Sequence, residues 1–233
     1  MSTFFMGRTS HAVAEALMRQ PPGYAQRGGG RRWPELTYTA ADLRCELCLH
    51  WQQGRCVLKR CICLKERLAA GLVAYDDLLR ELVTRNSSPA CARRIQALAG
   101  TWTGSLFSGS AHRVAFAIGK MSWQYKKPKQ KELAALFLLT ASQEMRDRSW
   151  AALKKDAIDF AAFPLREISG QGYALYQAAK TVVGSGHGLS HADLSDRELV
   201  DDDTFRLIVH AMLLARFGAA VMGLEKEAAN GTD

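Results

Sequence analysis

Five cysteines fall within nineteen residues, Cys45, Cys48, Cys56, Cys61 and Cys63, spaced C-x2-C-x7-C-x4-C-x-C. Thiolates at such spacing are soft ligands, and C-x2-C supplies two of them from one tight turn. Zinc takes four in a tetrahedron, so Cys45 and Cys48 form one pair, Cys56 a third ligand, and Cys61 or Cys63 the fourth. The fifth cysteine is then spare, or His50 replaces one. An iron–sulfur cluster matches the thiolate count too and is the lesser choice. Thiols without a metal are the plain alternative. A helix beginning near Cys61 or Cys63 is expected to lower the thiol pKa there and favour the anionic ligand. Cys91 stands apart and reads as a small buried residue.

Basic residues thread this stretch: Arg44, Arg55, Lys59, Arg60, Lys65 and Arg67, with Trp51 among them. Arg31 and Arg32 precede it in a glycine-rich linker. A second basic, aromatic segment holds Lys120, Trp123, Tyr125, Lys126, Lys127, Lys129 and Lys131. Lysine and arginine neutralise phosphates, and aromatic faces stack on bases, so both patches are candidate nucleic-acid contacts. The alternatives are ordinary solvated charge and, in the second segment, Trp123 and Tyr125 simply packing under the loop. The net charge is +8, and its uneven distribution suggests an anionic partner, nucleic acid first, with plain solubility charge as the alternative. Residues 1–100 hold 15 Lys and Arg against 8 Asp and Glu, whereas the rest hold 16 against 15. The excess sits with the cysteines.

Ser185, His187, His191 and Asp193 have the residue types of a catalytic triad. They crowd one glycine-rich loop, whereas a triad is assembled from separate elements around a nucleophile elbow. No phosphate-cradling glycine motif is present either. The expectation is a protein without enzymatic activity. His112 and His210 lie in helical patterns and read as packing or surface histidines.

The elements that would position these groups are helical. Apolar spacing predicts helices from Thr9 or Ser10 to Arg19, from Ile62 to Leu72, and from Tyr75 to Val83. Ser88 and Pro89 announce another. Later helices are expected from Ser108 or Ser110 through Ile118, Lys131 to Gln143, Ser149 to Phe160, Ser169 to Val183, and Phe205 to Phe217 with Asp203 as cap. Lys131 to Gln143 is the most apolar and should be central. No segment alternates convincingly as a strand. The fold class is therefore mainly α: a small metal module on a cysteine cluster, followed by an all-helical domain. The expected divisions are 1–37 (helix and basic linker), 38–100 (cysteine module and following helices) and 105–224 (helical domain), with Thr101–Ser105 linking the last two.

Hydrophobic residues make up 48% of the chain, enough for a sizeable core. No apolar run reaches the ~18 residues of a membrane span, so no membrane partner is expected. The start lacks a secretory signal pattern. A cytoplasmic, reducing setting is expected, where clustered cysteines favour metal over disulfides.

Two resemblances follow from these segments. Residues 38–63, opening on Tyr38-Thr39-Ala40-Ala41-Asp42-Leu43-Arg44, resemble a cysteine-rich module of uncharacterised proteins from mobile elements of gut Gram-positive bacteria. Residues 106–218 resemble helical proteins of similar elements. The features that match are the opening Ser108-Gly109-Ser110-Ala111-His112, the Leu133–Leu139 run and the closing Asp203-x-Phe205 helix. The resemblance implies a plasmid, conjugative-element or phage setting. The expected function is a non-enzymatic accessory protein that binds nucleic acid or a nucleoprotein complex through its basic zinc module. The alternative is an inhibitor of a host defence nuclease, of anti-CRISPR type, contacting a host effector protein and its guide RNA. The oligomeric state is left open.

Overall fold

Residues 9–19, 39–58, 61–84, 88–123, 128–154, 157–185 and 188–224 are described in a computed structural model of the chain. By internal contact the chain divides into residues 1–39 and residues 40–233. The first unit holds one described helix, α1 (Ala12–Arg19), entered through a turn in which the Thr9 hydroxyl accepts the His11 N–H at 3.2 Å.

In the second unit the order of elements is a short hairpin, β1 (Trp51–Gln52) and β2 (Arg55–Cys56), and then eight helices among the described residues. These are α2 (Leu64–Ala69), α3 (Tyr75–Val83), α4 (Pro89–Ala97), α5 (Ser110–Ser122), α6 (Gln130–Leu139), α7 (Gln143–Ala152), α8 (Gly170–Val183) and α9 (Asp202–Phe217). The chain is mainly α, as its apolar spacing indicates. The hairpin is an addition to that reading. Two residues per strand are too few for alternation to register. Its turn is set by backbone chemistry instead: Gln53 and Gly54 both have positive φ, 51° and 77°, as a tight two-residue hairpin requires.

Helix α6 is the centre. Every residue from Leu133 to Leu139 is buried, and α8 and α9 pack along it. A helix apolar on all sides has no face to give to water, so neighbours must surround it. It ends at Leu139, earlier than the expected Gln143. The Thr140 hydroxyl folds back to the Leu136 carbonyl at 2.8 Å, and Ser142 caps the next helix by accepting the Met145 N–H at 3.2 Å. That cap also corrects the expected helix Ser149–Phe160. The helix starts at Gln143 and stops at Ala152, and a bridge pairs Leu153 with Ile158.

Other ends follow local capping chemistry. Ser88 caps α4 with Pro89 in its first turn, and Ser169 caps α8 by accepting the Gly172 N–H at 3.0 Å. Asp201 caps α9, accepting the Thr204 N–H at 2.7 Å; Asp203, the expected cap, pairs with Arg206. Gly109, between Ser108 and Ser110, is the residue before α5, and no side chain caps that helix among the described residues. Ser108 turns elsewhere, donating its hydroxyl to the Ala141 carbonyl at 2.9 Å.

One hydrophobic core runs from Leu68 to Leu224 and passes through Trp102 and Leu106. The linker expected at Thr101–Ser105 is therefore no break in packing. Trp102 is buried and stacks on Tyr75, ring centroids 4.4 Å apart. Tyr75 in turn donates its hydroxyl to His210 Nε2 at 2.8 Å, while His210 Nδ1–H donates to the Leu106 carbonyl at 2.8 Å. This tautomer satisfies both ring nitrogens. Tyr75→Phe leaves the buried Nε2 without its donor, and should cost about 1–3 kcal/mol in urea unfolding. An unchanged midpoint would remove the hydroxyl from any stabilising role.

Candidate metal and nucleic-acid site

The cysteine stretch is built from three pieces: a 3-10 turn at Cys45–Leu47, the β1–β2 hairpin, and α2. The first turn closes through the Cys48 N–H to the Cys45 carbonyl at 2.9 Å. Trp51 N–H then bonds the Cys48 carbonyl at 2.9 Å, which leads the chain directly into β1. Cys56 lies on β2 opposite Trp51, and Val57 N–H to the His50 carbonyl extends the ladder. Cys63 is the residue before α2, whose Leu68 is buried in the main core.

All five cysteines line one cavity of about 210 Å³, together with Asp42, Arg44, Trp51 and Arg67. They are free thiols; Cys56 is exposed and the other four are half-buried. The sulfurs border this space without meeting at one point. Among the described residues, no group of three or more His, Cys, Asp or Glu is arranged to hold a metal ion. The donor chemistry nevertheless suits a soft cation, since the cavity wall presents several sulfur atoms. His50 is not among the residues that line it.

The Cys63 thiol departs from expectation in its acidity. Partial burial raises its pKa above the usual range, and Cys61, Cys48 and Glu66 push the same way, against Arg67. Helix α2 has only six residues, so its dipole is short, while neighbouring thiols and a carboxylate crowd its start.

Arg67 is the second departure. Grouped by sequence with the surface cations, it reaches into the thiol cavity. Its Nη1 donates to Cys45 Sγ at 3.0 Å and its Nη2 reaches the Leu72 carbonyl at 3.4 Å. The pairing joins residues 22 positions apart, so nothing in the local spacing announces it. Arg44, Arg55 and Lys65 are exposed around the same module. Lys129 is exposed at the start of α6, where its backbone N–H bonds Glu132. Arg31, Arg32, Lys59, Arg60, Lys126 and Lys127 lie outside the described residues, as do Tyr125 and His187. Trp123, grouped with that second segment as a stacking aromatic, is instead buried and belongs to the core.

The loop with triad-type residues is organised as a turn. Ser190 N–H and the Asp193 carboxylate bond at 2.7 Å, and the Asp193 N–H returns to the Ser190 hydroxyl at 3.2 Å. The bonds with Ser190 hold the Asp193 carboxyl below its usual pKa. Cys91 is buried in α4 as part of the core. No helix among the described residues is long and apolar enough to cross a membrane.

Comparison with known proteins returns no protein-family model, no curated protein and no solved structure that matches this chain.

Proposed function

We propose that residues 45–67 form a zinc-binding module whose basic outer side binds nucleic acid, in a non-enzymatic accessory protein of a mobile element. The observation that carries this reading is the gathering of all five clustered cysteines around one cavity, with Arg44, Arg55 and Lys65 exposed nearby. Zinc suits such a wall because it accepts four thiolates without redox chemistry. The exposed guanidinium and ammonium groups then face a phosphate backbone from a rigid support.

Metal analysis with thiol titration tests the first half. One zinc per chain is expected, with a chelator lowering the melting temperature by about 10 °C, as loss of ~3 kcal/mol does in a chain of this size. A metal-free protein indifferent to chelator would end the reading. A gel shift with generic DNA and RNA tests the second half: binding at low salt should fall steeply as salt rises.

A second reading rests on a separate observation. Leu47, Leu49, Val57 and Ile62 are exposed between the cysteines, Leu49 by 91%. Apolar groups held at a surface suit a protein partner, as in an inhibitor of a host defence nuclease of anti-CRISPR type. Capture of such a nuclease without a shift of free nucleic acid would favour it.

A further inference from the structure

A site of four thiolates around a divalent cation carries two negative charges in excess, and gathering them costs energy unless a cation stands near. Arg67 occupies that position. It reaches the cavity wall beside the cysteines and donates to Cys45 Sγ at 3.0 Å, with Cys61 lining the same cavity. The second nitrogen is anchored on the Leu72 carbonyl just beyond α2, at 3.4 Å. Leu68, the next residue, is fixed in the core at 4% exposure, so the register of α2 is not free to rotate Arg67 outward. Its Nε is buried and makes no hydrogen bond among the described residues; the Asp77 carboxylate on α3 also attracts the guanidinium, less than Cys45 and Cys61 do. Glu66, at the preceding position, is exposed and takes no part in lining the cavity.

We infer that Arg67 is the charge-compensating positioning residue of the thiolate site: its N–H group holds Cys45 in place, and its charge offsets the negative charge of the metal–sulfur cluster. The inference rests on the zinc reading above. Partners of this kind, bonded to ligands without being ligands, commonly change metal affinity by about 10–100-fold when removed.

The test is zinc affinity by competition with a chromophoric chelator, for the full chain and for Arg67→Gln and Arg67→Lys, together with the pH at which zinc is lost on acidification. Arg67→Gln should weaken zinc by about 10–100-fold and move the loss to higher pH, because protons compete better for uncompensated thiolates. Arg67→Lys keeps the charge without the planar fork, and should fall between the two in both measurements. A merely structural role would not graduate with charge, so Arg67→Lys no better than Arg67→Gln overturns the inference. Wild-type affinity and wild-type acid midpoint in Arg67→Gln overturn it as well, and leave the zinc reading intact. Absence of zinc from the wild-type protein overturns the zinc reading itself, and the inference with it.

Discussion

Acidification from pH 7.5 to pH 5 should lower the unfolding free energy by about 4 kcal/mol, through two buried histidines. His112 is 1% exposed and His210 is 2% exposed. Burial lowers each pKa from 6.5 to about 4, against a backbone hydrogen bond to Phe137 or Leu106 that works the other way. His112 Nε2–H donates to the Phe137 carbonyl at 2.8 Å, and its Nδ1 accepts the Ser108 N–H at 3.2 Å. A neutral ring fits both bonds; a second proton on Nδ1 would face a donor. The sign follows. Well above pH 6.5 the rings are neutral in both states and nothing is lost. Between 6.5 and about 4 the unfolded chain takes up protons that the folded chain refuses, so stability falls as pH falls. Near pH 5 each histidine contributes about 2 kcal/mol of that loss. Glu144 and Asp193, held below their usual carboxylate range by Ser169 and Ser190, add their losses only at lower pH. Urea unfolding at the two pH values checks this. Equal stabilities at both would show that the rings protonate freely inside the fold.

Arg94→Met should destabilise the protein by about 3–5 kcal/mol, because several buried acceptors lose their donor at once. The side chain is buried in α4 and gathers the segment that leads into α9. Its Nη1 donates to the Leu194 carbonyl at 2.9 Å, and its Nη2 donates to the Val200 carbonyl at 2.6 Å and to Asp202 Oδ1 at 2.8 Å. The guanidinium also lies 4.2 Å from the Phe205 ring centroid. Methionine fills part of the volume and can make none of these bonds, so carbonyls turned inward lose their donors. Loss of protection at residues 194–200 in amide exchange should accompany the drop. A variant within about 1 kcal/mol of wild type would mean that the segment holds its place by apolar packing alone.

Much of the helical framework is legible because single residues announce it. Ser88 and Pro89 open α4, Ser169 opens α8, and the apolar run from Leu133 onward demands a buried helix. Misreadings fall where two adjacent signals compete. Ser142 outranks the amphipathic pattern after Ser149, because a cap fixes the first turn, whereas a pattern only chooses a face. Asp201 outranks Asp203 for the same reason. The cysteine spacing points to one shared location, and the cavity is lined by all five. The place of Arg67 is hidden by its charge, which in a basic stretch reads as surface. The surroundings of His210 are hidden by distance, since it meets partners 104 and 135 positions away.

Those long separations bear on how the chain is made. Tyr75, Glu81 and Arg94 meet His210, Arg216 and the Leu194–Asp202 segment, which follow them by 100 to 135 positions. A ribosome extends the chain from the N-terminus at about 5–20 residues per second. For several seconds the emerging segment therefore carries an arginine and a tyrosine whose counterparts have not been translated. During that interval α3 and α4 have only part of their final cover.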